Sequence, residues 1–159
     1  MMRYAMTALA VSLIGGVAAS GPCRAQDAEN AIAEGHLFGA SSSWTNESGS
    51  TMTLVFGPGN AVSGSYINRN EGFNCQNTPY PLTGWVVGNF ISFSVAWDNV
   101  FENCNSVTAW SGFAEADGGS VQIVTLWSLA FQGSSGPEIE NGKDAFRLLA
   151  KVESESPLQ

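Results

Sequence analysis

Three observations predict an all-β chain closed as an eight-stranded antiparallel up-and-down β-barrel. From residue 41 onward, short runs alternate apolar with polar side chains, the period of a strand with one buried face. Gly, Asn and Asp separate most of these runs, so successive runs are joined by tight turns and pair as hairpins. Residues two apart share a face, and that rule gathers the large rings onto one side of each run. Eight such strands enclose an interior that side chains fill or that holds one small ligand.

Taken in order, residues 1–25 read as a secretory signal peptide. Arg3 gives the positive start, 5–19 is small, apolar and uncharged, and Cys23-Arg24-Ala25 supplies small residues before a cut at Gln26. About 15 apolar residues fall short of the ~20 that a membrane span requires. Pro22 directly before Cys23 fits a lipoprotein cut poorly. The expected location is therefore secreted or periplasmic, with no membrane partner. Residues 26–40 form a weakly structured leader that carries His36, the chain's one histidine.

The barrel is expected over 41–151. Its runs are 41–46, 51–56, 61–69, 81–87, 90–98, 106–115, 120–131 and 143–150. Turn chemistry stands at Ser48-Gly49, Gly57-Pro58-Gly59-Asn60, Gly88-Asn89, Ala116-Asp117-Gly118-Gly119 and Asn141-Gly142. Two connections are longer: 70–80, with Cys75, and 132–142. A polar tail, 152–159, is expected to be disordered.

Composition narrows the function. With 44% hydrophobic and 13% charged residues, the chain has too much apolar and too little charged content for intrinsic disorder. Its net charge of −8 excludes a phosphate-tracking nucleic-acid binder. Signal removal takes Arg3 and Arg24 but no acid, leaving four cations against 14 acids, a formal −10. It also takes Cys23, leaving Cys75 and Cys104. In an oxidising compartment an even pair reads as one disulfide, the alternative being two unpaired buried thiols. Closing about 29 residues would stabilise by roughly 3–4 kcal/mol in the chain-entropy model. Two cysteines and a remote histidine do not make a four-ligand zinc site.

Strand parity points to a cavity. Ser106, Thr108 and Trp110 share a face, as do Gly64, Tyr66 and Asn68. Phe93, Val95 and Trp97 form a third set, and Thr125, Trp127 and Leu129 a fourth. Asn46 lies with Trp44, and Asp144 with Phe146. A dry core does not mix hydroxyls, amides and a carboxylate with rings, because buried polar groups are costly unless hydrogen-bonded. A small-molecule pocket has that make-up. The opposite parity would put Trp97, Trp110 and Trp127 outside together, a patch that a soluble monomer avoids.

These residues and their order resemble the avidin–streptavidin family. The carrying segments are Trp44-Thr45-Asn46 with Gly49-Ser50, Gly64-Ser65-Tyr66, Tyr80-Pro81-Leu82-Thr83-Gly84 and Val95-Ala96-Trp97. They continue with Ser106-Val107-Thr108-Ala109-Trp110-Ser111-Gly112, Thr125-Leu126-Trp127 and Gly142-Lys143-Asp144-Ala145-Phe146. Cys75-Gln76-Asn77 ahead of Pro79-Tyr80-Pro81, with 102–106, is most similar to the rhizavidin-like short-chain dimeric bacterial members. The resemblance implies a high-affinity biotin binder, not an enzyme, with biotin as ligand and no cofactor. Asn46, Ser50 and Tyr66 would donate to the ureido oxygen, and Asp144 and Asn68 would accept from its N–H groups. Thr108 would face the thioether sulfur. Ser106 would reach towards the valerate carboxylate, with Asn74 or Gln76 as weaker candidates. Trp97, Trp110, Trp127 and Leu129 would form the walls.

Two departures from the family pattern matter. Tetrameric members lend a neighbour's tryptophan from the loop before the last strand, whereas 133–138 here contains none, so a homodimer is expected. The Cys75–Cys104 bridge would instead preorganise the pocket mouth. Ser42 replaces a glycine common in the first strand, a change expected to be tolerated. Other classes stay open on the residues alone: a secreted barrel carrying another small ligand, or a loop-mediated protein inhibitor. Asp98 and Glu102 are read as surface loop acids, and Trp85 has no assigned role.

Overall fold

The computed structural model describes residues 41–102 and 104–152. The expected signal segment, the leader and the tail beyond Val152 lie outside the described residues. Eight strands follow one another: β1 (Ser41–Thr45), β2 (Thr51–Phe56), β3 (Ala61–Ile67), β4 (Pro79–Val87), β5 (Phe90–Trp97), β6 (Ser106–Asp117), β7 (Ser120–Gly133) and β8 (Gly136–Val152). Each pairs antiparallel with the next, and β8 returns to β1 to close the barrel. Closure leaves no free sheet edge.

The turns form where the sequence places φ-permissive residues. Gly118 and Gly119 both take positive φ, 56° and 89°, the geometry that matches a two-residue hairpin to strand twist. The Gly57–Asn60 stretch folds as a short 3-10 turn at Pro58–Asn60.

One end of the barrel is plugged by the inward residues Leu54, Val62, Ile91, Ala114, Ile123 and Phe146, all buried. Trp44 is fully buried above them, and its indole N–H donates to buried Ser42 Oγ at 2.8 Å. The serine that departs from the family pattern therefore satisfies a buried donor. The other end, where β1, β3 and β5 finish and β2, β4 and β6 begin, remains open.

The structure corrects two expectations, both in the last hairpin. Residues 132–142 are not a long connection: β7 and β8 form a continuous hairpin with only Ser134 and Ser135 between them. Gly136, at φ 140°, makes the reversal, and Pro137 sits at the start of β8, where a missing N–H costs the ladder least. Asn141-Gly142 is not a turn either. Gly142 pairs with Trp127 inside the sheet, and a Cβ there would enter the Trp127 ring. Packing, not conformational freedom, requires this glycine.

Candidate functional site

The open end holds a cavity of about 540 Å³, within the usual size of small-ligand sites. Asn46, Ser50, Tyr66, Asn68, Trp97, Ser106, Thr108, Trp110, Trp127, Leu129 and Asp144 all line it. The inward parity expected for β3, β5, β6 and β7 is therefore the one observed.

Asn46 leaves the end of β1 and turns on its own side chain. Its Oδ1 accepts from Ser50 N–H and from Ser48 Oγ, each at 2.9 Å. That fixes which end of the amide is which. The Nδ2 donor is thereby aimed inward, 3.2 Å from Asp144 Oδ1 and 3.4 Å from Tyr66 OH. Ser50 Oγ accepts from Arg69 N–H at 2.9 Å and lies 3.5 Å from Asn68 Oδ1, to which it donates. Asn68 Oδ1 also accepts from Asn70 N–H at 2.9 Å.

Burial, and then the charge of Asp144, push the Tyr66 phenol well above its ordinary value. It therefore stays a donor at any working pH. Asp144 accepts from the Trp110 indole N–H at 2.8 Å and from Asn46. Its carboxyl is raised above the ordinary 3.8: burial is the main cause, Glu47 adds to it, and the Trp110 and Asn46 bonds oppose it. The floor of the site thus combines donors from Asn46, Ser50 and Tyr66 with one partly desolvated carboxylate acceptor.

The walls are rings in mutual contact. Tyr66 and Phe93 both stack on Trp110, with centroids at 5.0 and 4.9 Å, and Trp97 stands edge-on to Tyr66. Trp97 donates to Thr108 Oγ1 at 2.8 Å, which leaves the threonine's own proton to offer elsewhere. Ser106 Oγ donates to Cys104 O at 2.7 Å, so its proton points back to the loop and only its oxygen faces other partners.

Two loops shape the mouth. Cys75 and Cys104 form a disulfide with Cα atoms 6.1 Å apart, joining the 68–78 and 98–105 loops. The Glu102 carboxylate accepts from Cys75 N–H. Asn99 donates to Tyr80 OH at 2.7 Å and accepts from the N–H groups of Phe101 and Glu102. Glu102 is therefore a loop fastener, and Asp98 is exposed. Asn74 reaches the cavity lining. Gln76 instead folds its own loop, donating to Asn70 O and Phe73 O.

Sequence reasoning missed several lining residues, chiefly Phe73, Phe131, Gln132 and Glu140. Phe73 sits in an aperiodic loop, where parity carries no signal. Glu140 is four residues before Asp144 on β8, so parity would have found it had 132–142 been read as strand. Trp85 lies on the outer wall and is 65% exposed. Among the described residues, no group of three His, Cys, Asp or Glu side chains is placed to hold a metal ion.

A family model described as the avidin family matches residues 36–148. Afifavidin of Afifella pfennigii is 56% identical over 160 residues, covering 99% of each chain. A solved short afifavidin–biotin complex shares 61% identity with a TM-score of 0.68, over 74% of this chain and 96% of that one. A rhizavidin–biotin complex gives 53% and 0.69, over 74% and 98%. With the family model spanning its barrel and a relative aligned over nearly its whole length, the chain belongs to the avidin family.

Proposed function

We propose that the cavity binds biotin tightly and without catalysis. The supporting observation is the convergence of Asn46 Nδ2, Ser50 Oγ and Tyr66 OH on the same floor as the Asp144 carboxylate. A cyclic urea needs that set: several donors on one oxygen and an acceptor for each N–H. Asn46, Tyr66 and Ser50, whose proton turns away from Asn68 Oδ1 on binding, donate to the ureido oxygen, and Asp144 and the Asn68 Oδ1 so released accept from the two N–H groups. Trp97, Trp110, Trp127 and Leu129 enclose the bicyclic ring, Thr108 offers its proton to the thioether sulfur, and Ser106 and Asn74 face the tail. Phe73, carried on the disulfide-tied loop and packed against the core, covers the ring from the mouth. Two relatives, 61% and 53% identical over alignments covering 74% of this chain, have been solved as biotin complexes.

The working unit is a homodimer, exported by its signal segment to the periplasm or outside the cell. Residues 133–138 have no tryptophan to lend a neighbour's pocket, and the partner contact is the exposed apolar outer wall of β4–β7.

Calorimetric titration of the oxidised protein from Gln26 onward with biotin tests the site. Binding near one ligand per chain is expected. Asn46→Ala should weaken it by about 1–3 kcal/mol, the range for removing a partner from a buried polar group. Absence of both heat and thermal shift with biotin would sink the reading.

A further inference from the structure

The cavity is uniformly without cations: no Lys, Arg or His appears among its described lining residues. It carries two carboxylates, Asp144 on the floor and Glu140. Glu140 pairs directly with inward-facing Leu129 across the β7–β8 ladder, so it shares the inner face with Gly142 and Asp144. Four residues of strand place it roughly 13 Å from Asp144 along the face, at the exposed rim. The other groups at that rim are neutral: Asn105, Ser106 and Gln132. Arg69, the nearest cation in sequence to the lining residues Asn68 and Asn70, is exposed and not part of the lining.

We propose that Glu140 is a specificity-determining residue that makes the pocket favour biotin joined through an amide over biotin as the free acid. The inference rests on the biotin reading. A biotin seated with its urea on Asn46, Ser50, Tyr66 and Asp144 has to run its side chain along the walls and end at the rim. As the free acid it sets one negative charge beside another, with only the neutral amides of Asn105 and Gln132 to offset the repulsion. As an amide it brings no charge, and with an amine beyond the amide it brings a positive one. At rim separations and the intermediate dielectric of a half-open site, one such charge pair changes affinity by about threefold to tenfold. The preferred ligand class is therefore biotin linked to an amine, as on a lysine side chain.

Dissociation rates of biotin, biotinamide and the cationic biotin–ethylenediamine amide, measured on the oxidised protein and on Glu140→Gln, test this. The variant should hold free biotin about threefold to tenfold longer, leave biotinamide unchanged and release the cationic amide sooner. Molar salt should narrow all three differences. An equal shift for all three ligands would make Glu140 a packing residue and overturn the proposal, as would no shift for any. Failure of the unaltered protein to bind any of the three overturns the biotin reading itself, and this inference with it.

Discussion

Asn46 shows how one side chain can serve two ends of a site. Its carbonyl is held by Ser50 N–H and Ser48 Oγ, so the N–H₂ end has no choice but to face Asp144 and Tyr66. Asn46→Asp keeps the anchoring oxygen and the volume but turns the inward donor into a second carboxylate beside Asp144. Like charges that close force one group to hold a proton. Biotin release should therefore be faster from Asn46→Asp than from Asn46→Ala, by tenfold or more, while the barrel still folds by circular dichroism. Asp144 sets the pH response. Its raised folded value means its stabilising contribution to the empty barrel is fully present in acid, below about 4, and lost as pH rises through that value. Ligand binding runs the other way, because the ionised form is the better acceptor for the urea N–H. Biotin affinity should fall as pH drops through the raised value, and Asp144→Asn should flatten both slopes in thermal melts and titrations. All eleven proposed ligand residues, drawn from strand parity and family likeness, line the cavity. Phe73 was not legible, because its position depends on a loop fastened by a distant disulfide.

At the scale of elements, alternation made β1 to β6 readable to within a few residues, since each has one face on the interior and one outside. The β7–β8 hairpin was not, because Gly136-Pro137 and Asn141-Gly142 carry the composition of turns. In the structure the first pair only closes the hairpin, and Gly142 makes room for the Trp127 ring. Gly142→Ala should therefore push that ring into the cavity, with an overpacking cost of about 1–3 kcal/mol. Biotin release should quicken by about tenfold or more while the sheet remains intact, as read by stopped-flow tryptophan fluorescence. The two mouth loops depend on each other in the same way. Cys75→Ser with Cys104→Ser removes a 29-residue closure and leaves Glu102 and Asn99 to hold the loops. Chemical denaturation should show a loss of about 3–4 kcal/mol, the chain-entropy value for a loop of that length. Off-rates should also rise, because the loop bearing Phe73 and the loop leading into Ser106 then order on binding instead of before it.

For the molecule as a whole, closure of the barrel removes the option of association by added strands, so the proposed dimer has to form through side chains on the outer wall. That wall is uneven. Trp85 at 65%, Val87 and Phe90 at 62% and Leu126 at 69% exposure gather on β4, β5 and β7, with Phe113 of β6 between them. They line an outer groove of about 440 Å³. Trp85 had no assigned role in the sequence, since sequence alone does not show which outer positions are neighbours. Four strands side by side turn scattered rings into one patch of the kind soluble monomers avoid. Sedimentation should therefore give a dimer whose melting temperature rises with concentration, because association stabilises by mass action. Leu126→Glu combined with Trp85→Glu puts two charges into each copy of the contact and should yield a monomer with a lower, concentration-independent melting temperature. A dimer surviving both changes would move the interface to another wall. The proposed biotin set belongs entirely to one chain. The monomeric variant should accordingly still bind one biotin per chain, which separates the assembly from the site.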